Sequence, residues 1–229
     1  MAYGYRIGSI PITTVQRLPS YLRLLREMRQ NGREVVSSNR ISDLLKLEAV
    51  QVRKDFGFIG ITGMPKTGFQ VEELILAIEH CLNWNRITDA VLVGVGHLGT
   101  ALLGYEGFSA HGLNICAAFD INAELVSRTI NGMVVRSMDE LESAVRKLDV
   151  QMAILTVSPR AAQEVTNRLV LSGIQGIWNF TGCTLTVPGQ IIVQDQDIAI
   201  GLAVLSAKLS ARAEGDGGDS PDPLGDLNT

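Results

Sequence analysis

Gly94, Gly96 and Gly99 follow the apolar run Ala90-Val91-Leu92-Val93 and carry the most specific chemistry in the chain. A glycine turn between a strand and a helix suits a pyrophosphate. The first glycine turns tightly, the second admits the phosphates, and the third lets the helix pack on the sheet. Val95, His97 and Leu98 complete the loop, and free N–H groups with the helix dipole favour negative charge there. A second apolar run closes at Asp120, 26 residues past Gly94. A carboxylate at that point can bond both ribose hydroxyls of NAD and repels an added 2′-phosphate. Ile121 and Asn122 follow without a compensating positive charge, so the pattern points to NADH/NAD+ rather than to their phosphorylated counterparts. The alternative for Asp120 is an N-cap of the next helix.

The remaining reactive side chains form no second constellation. His80 lies on a linking helix and His111 near a loop, both reading as surface, while His97 sits beside the expected phosphates. Cys81, Cys116 and Cys183 lack metal-ligand spacing and read as buried thiols, with Cys183, in a Gly/Thr-rich loop, the one candidate for reactivity. Little chain remains after the last expected strand to build a substrate domain. The dinucleotide therefore reads as sensed rather than consumed, and the protein as no enzyme; an NAD-dependent oxidoreductase with a site shared between subunits stays as the rival.

The elements that must hold these residues alternate. Val134-Val135, Met152 to Val157, Ile174 to Phe180 and Ile191 to Val193 read as strands, and Met138 to Leu148 and Pro159 to Leu171 as helices, the latter with Pro at its start and Gly173 past its end. This predicts an α/β, doubly wound, mostly parallel Rossmann-like sheet over residues 87–212. Ile198 to Leu209 closes it as a helix so apolar that it needs a partner surface, another subunit before solvent. Residues 213–229, rich in Gly, Asp and Pro, read as a disordered tail.

Charge divides the 229 residues unevenly. Residues 1–71 hold 11 Lys and Arg against 5 Asp and Glu, a balance of +6; the rest hold 9 against 19, a balance of −10. A basic first domain (1–86, with its linking helix) points to a polyanionic partner. Its apolar spacing (Val15, Leu18, Leu22, Leu25) gives one helix stopped by Gly32, and Ser37 and Ser38 cap a second helix with Ile41, Leu44 and Leu45. Ala49 to Phe58 gives a third, with Val50 and Phe56 expected inside and Gln51, Arg53, Lys54 and Asp55 unable all to face the core. Three short helices with a tight turn describe a helix-turn-helix, and Gln, Arg and Lys suit base edges and phosphates in a major groove. Gly57 to Phe69 reads as a glycine-punctuated hairpin, the wing of a winged helix, and a plain helical packing domain is the alternative. No apolar run is long enough to span a bilayer and no cleavable apolar leader is visible, so the chain reads as cytoplasmic and away from membranes.

Over nearly all of its length except the tail, the chain resembles the bacterial redox-sensing transcriptional repressors of the Rex family. The matching stretches are Arg17 to Arg23, Gln51 to Phe56, Gly94 to Gly99, Phe119-Asp120, Ile154 to Val157 and Ile177 to Phe180. The resemblance implies a winged-helix homodimer that binds operator DNA when NADH is low and releases it when NADH binds. It also implies that Arg53 and Lys54 meet DNA, that Tyr105 lies beside the nicotinamide, and that Arg23 and Asp197 re-pair with each other or with Tyr105 during the switch. The last helix matches the element exchanged between subunits. Three departures stand out: Lys66 replaces the family's second wing glycine, with Pro65 in place of a basic residue; Thr156-Val157-Ser158-Pro159 shifts a proline by one; and Gly182 replaces another proline. Lys66 can supply the wing's charge, and the two later changes lie near the expected nicotinamide pocket, where they bear on the preference between NADH and NAD+. Together the changes at Pro65, Ser158 and Gly182 motivate a second alternative, a diverged paralogue that binds DNA or a protein without responding to NADH.

Overall fold

A computed structural model describes residues 10–215. These form two compact units. One holds the described residues up to Thr88 together with Tyr105–Asn114; the other holds Asp89–Gly104 and the described residues from Ile115 onward.

The first unit opens with α1 (Ile12–Gln30), which buries Leu18, Tyr21, Leu22 and Leu25 along one stripe, whereas Val15 is half-buried. Gly32, at φ +70°, turns the chain away. Strand β1 (Val35–Val36) leads into α2 (Ser38–Leu45), capped by Ser37, whose hydroxyl accepts from the Arg40 N–H. Helix α3 spans Ala49–Phe58. It buries Val52, Asp55 and Phe56, and Val50, expected inside, is exposed. The spacing explains this: positions 52, 55 and 56 share one helical face, and 50 lies off it. The expected hairpin is smaller than a two-strand ladder. Met64 and Gly68 form a single bridge, and the following strand β2 (Phe69–Gln70) pairs instead with β1. Gly63 is held against the Phe69 ring, which folds the wing onto its base. Helix α4 (Val71–Cys81) completes the core.

In the second unit a seven-stranded sheet runs β5-β6-β4-β3-β7-β8-β9, formed by β3 (Thr88–Val93), β4 (Leu113–Asp120), β5 (Thr129–Ile130), β6 (Met133–Ser137), β7 (Met152–Leu155), β8 (Gly176–Asn179) and β9 (Ile192–Asp195). The β4–β6, β3–β7, β7–β8 and β8–β9 ladders are parallel; the short β5, absent from the sequence expectation, pairs antiparallel at the edge. Strand order reverses between β3 and β7, the place where open parallel sheets bind ligands beyond their carboxyl ends. Helices α5 (His97–Leu103), α6 (Leu141–Leu148) and α7 (Pro159–Leu171) intervene. Alternate residues Val91, Val93, Phe119, Ala153 and Leu155 form one core with Leu141, Val145, Ala162 and Leu169 from α6 and α7. Strand β7 stops at Leu155 and β8 spans only Gly176–Asn179, both shorter than the apolar runs. Helix α8 (Ile198–Gly215) runs past its expected end, and 216–229, the rest of the expected tail, lies outside the described residues. Among the described residues no helix is long and apolar enough to cross a membrane.

Candidate functional site

The glycine turn is built by two close approaches and one opening. Gly94 has φ +98°, and a Cβ there would lie 2.8 Å from the Thr156 carbonyl. A Cβ on Gly99 would lie 2.0 Å from the Gly94 oxygen. Thr156 locks this packing: its Oγ1 donates to Gly94 O at 2.6 Å. Gly96 differs. It sits at φ −71°, open to any residue, and a Cβ there would meet nothing within 4 Å. The fold demands glycine at 94 and 99. At 96 the missing side chain leaves exposed space beside His97 and Leu98, a cradle that a phosphate group fits.

Asp120, the last residue of β4, holds this turn. Its Oδ2 accepts from the Val95 N–H at 2.6 Å and its Oδ1 from the Asn122 N–H at 2.8 Å. No helix follows; the chain turns through 122–128, so the alternative reading as a helix N-cap does not apply. A carboxylate has about four acceptor positions, and two of them are occupied here.

Arg23 and Tyr105 come together in the first unit, where they line a cleft of about 550 Å³ with Arg26, Glu27 and His111. Tyr105 is exposed and stands edge-on to Phe108 at 4.9 Å. His111 packs edge-on against Trp84 at 4.3 Å and is half-buried, more enclosed than the surface position expected for it. Asp197 belongs to the second unit, where its Oδ1 accepts from the Ala199 N–H at 2.8 Å at the start of α8. His80 is exposed at the end of α4, and His97 starts α5. Cys81 is buried, Cys116 and Cys183 half-buried, and burial pushes the Cys116 thiol above its ordinary value.

On the basic unit, Arg53, Lys54 and Lys66 are exposed. A cleft of about 460 Å³ lies among the α2 start, α3 and the wing, lined by Ser37, Ser38, Asn39, Arg53 and Lys66 among others. Arg53 Nη1 donates to Ser38 Oγ at 2.9 Å. Lys66, where the family pattern has glycine, adopts φ +64°, a left-handed conformation that costs a side chain about 1–2 kcal/mol. Gln51 is half-buried and gives its amide to Asp55 at 2.9 Å, which leaves it less free than its neighbours.

Asp55 is the residue of α3 whose place the sequence leaves open. It is fully buried and accepts from Arg17 Nε (2.7 Å) and Nη2 (2.8 Å), Tyr21 Oη (2.7 Å), Thr14 Oγ1 (2.9 Å) and Gln51. Burial alone would raise its carboxyl, but the bonds from Arg17, Tyr21, Thr14 and Gln51 outweigh that and hold it below the ordinary carboxylate value. Burial and the bond to Asp55 push the Tyr21 phenol well up, so it remains a donor. One carboxylate thus ties α3 to α1 through three side chains, Thr14, Arg17 and Tyr21. The available signal was a pair of i, i+4 patterns, Arg17–Tyr21 and Gln51–Asp55.

A family model described as "CoA binding domain" matches residues 85–183, and one described as "Putative DNA-binding protein N-terminus" matches residues 9–57. The chain is 45% identical over 199 residues to the redox-sensing transcriptional repressor Rex of Treponema denticola, covering 87% of this chain and 95% of that one. It is 39% identical over 198 residues to Rex of Bacillus subtilis, covering 86% and 91%. A Rex-family repressor solved in complex with β-NAD+ and operator DNA aligns with a TM-score of 0.83 at 28% identity, over 92% of this chain and 99% of that one. The same repressor with β-NADH gives 0.83 at 27% identity.

Proposed function

The chain belongs to the Rex family of redox-sensing transcriptional repressors, and on that premise we propose that it is a cytoplasmic, homodimeric repressor that holds operator DNA and lets go of it when NADH is abundant. Residues 1–86 read the operator and 87–212 hold the dinucleotide. Arg53, Lys54 and Lys66 supply the DNA contacts, with Gln51 at the edge, and Arg23, Tyr105 and Asp197 change partners between the two states. The observation that carries the ligand reading is Gly96: it needs no glycine for its own backbone, and its open side receives the pyrophosphate. Gly94, Val95, His97, Leu98 and Gly99 frame that cradle, and Asp120, with acceptor positions to spare, takes the adenosine ribose and disfavours a 2′-phosphate. Coenzyme A shares the adenosine diphosphate core, which accounts for the description of the matching family model.

The bound dinucleotide supplies occupancy and redox state, and no bond is made or broken. Release requires only that the DNA-incompetent arrangement of the dimer bind NADH more tightly than the competent one, since equal affinity shifts nothing. The exposed apolar residues of α8 (Leu202, Leu205 and Leu209, with Ile200 and Val204) suit an exchanged helix that joins the protomers. The test is operator binding by the full chain at fixed salt, with NADH, NAD+ or coenzyme A added. NADH is expected to weaken binding at least tenfold and NAD+ to leave it within about twofold, a tenfold change being about 1.4 kcal/mol. Equal binding under all three additions favours the diverged paralogue, and consumption of NADH with a small carbonyl would favour the oxidoreductase.

The wing gives a separate expectation. Lys66→Gly removes one cationic contact, so the slope of log binding against log salt should fall by about one unit. The variant should melt no lower than the parent, because the left-handed strain at 66 disappears. An unchanged salt slope would remove Lys66 from the DNA interface.

A further inference from the structure

Asn179, the last residue of β8, is 2% exposed, and its side chain uses its full hydrogen-bonding capacity. Oδ1 accepts from the Thr181 N–H (3.1 Å) and Oγ1 (2.6 Å), while Nδ2 donates to Cys183 O (2.8 Å) and Asp195 Oδ1 (2.7 Å). Its own carbonyl accepts from the Gln196 N–H at 2.8 Å. The orientation of the amide follows from its partners: a backbone N–H can only donate and a backbone carbonyl can only accept. One side chain therefore anchors two departures from the carboxyl edge of the sheet. The first is the loop through Thr181 and Gly182 (φ +73°); the second is the junction from β9 into α8, where Asp197 meets the first turn.

The geometry points to Asn179 as a positioning residue for the dimer: it fixes where and in which direction α8 leaves the sheet, so that the helix of one protomer reaches its partner. This rests on the reading above that α8 joins the protomers. A fully satisfied buried amide suits the task because any tilt of α8 that drags Asp195 breaks a bond of an amide that is itself buried, and an unpaired buried polar group costs about 1–3 kcal/mol. The cleft beside it, about 180 Å³, also holds Asp197 and Cys183, both left unchanged in the variants below.

The test exchanges donor and acceptor across the bond. Asn179→Asp sets two carboxylates against each other at a bond now 2.7 Å long. Like charges that close raise one carboxyl until it protonates. In sedimentation of the full chain without DNA or dinucleotide, Asn179→Asp should weaken the dimer at least tenfold near neutral pH. It should recover most of that at about pH 5, where one carboxyl of the pair donates to the other. Asn179→Asp combined with Asp195→Asn restores an amide–carboxylate bond with the roles reversed, while the Cys183 carbonyl stays without its donor; it should dimerise at least threefold more tightly than Asn179→Asp near neutral pH and change little at about pH 5. The inference is overturned if Asn179→Asp dimerises like the parent, or if it loses dimerisation equally at both pH values with no rescue by the double variant. A parent chain that is monomeric at every concentration would instead overturn the functional reading.

Discussion

Gly99→Ala is expected to abolish the response to NADH while leaving operator binding in place. The added methyl would sit 2.0 Å from the Gly94 carbonyl oxygen, which is itself fixed by the Thr156 hydroxyl. The nearest atoms are backbone and not the end of a flexible side chain, so α5 must lift off the turn or the turn must open. Overpacking of this kind costs about 3 kcal/mol, and if the loss falls on the cradle it amounts to roughly a 100-fold weaker NADH affinity. The first unit has its own core, so DNA contacts from α3 and the wing should persist. NADH fluorescence titration and operator binding on the same preparation check both halves. NADH affinity within about threefold of the parent would contradict the cradle. Gly96→Ala is the useful contrast, because its methyl enters open space and strains nothing in the fold; any loss of NADH binding there reports the ligand itself.

Asp55→Ala should destabilise the first unit by about 3–5 kcal/mol, the range for removing one partner of a buried ion pair. It strips the acceptor from Arg17, Tyr21, Thr14 and Gln51 at once. Against a domain stability of about 5–15 kcal/mol, that is enough to release α3 in a large share of molecules. Thermal melting would show the loss directly, and operator binding should fall with it while NADH affinity holds. The pH dependence follows from the sign of the shift. The folded carboxyl lies below its unfolded value, so its contribution is complete above about pH 4 and disappears as pH falls through the depressed folded value. Asp55→Ala should therefore lose less stability than the parent on acidification below that point. Equal acid sensitivity of parent and variant would mean that Asp55 is not the ionised hub described here.

The fold was largely legible because its signals are local. The β3 run into Gly94, Gly96 and Gly99, the Pro159 start and Gly173 end of α7, and the 3.6-residue spacing of α1 depend on neighbours in sequence. What escaped depends on partners far away in the chain. Asp55 stays unassigned between core and surface until Arg17 and Tyr21, 38 and 34 residues earlier, are laid against it. Val50 reads as core until Val52, Asp55 and Phe56 occupy the inner face together. The wing was expected as a hairpin because glycines and apolar residues alternate there. Its second arm finds a better partner in β1, since Val36 can bury against the same core as Phe69. At the glycine turn the residue types and their order were visible. The division of labour, with 94 and 99 needed for packing and 96 left open, was visible only from the distances a Cβ would make.

The most direct test of the central claim is the affinity for NADH measured by fluorescence with the operator absent and then saturating. Coupling between two binding sites is reciprocal, so the operator should weaken NADH binding by the same factor, at least tenfold, by which NADH weakens operator binding. An NADH affinity that is the same in both conditions would contradict it.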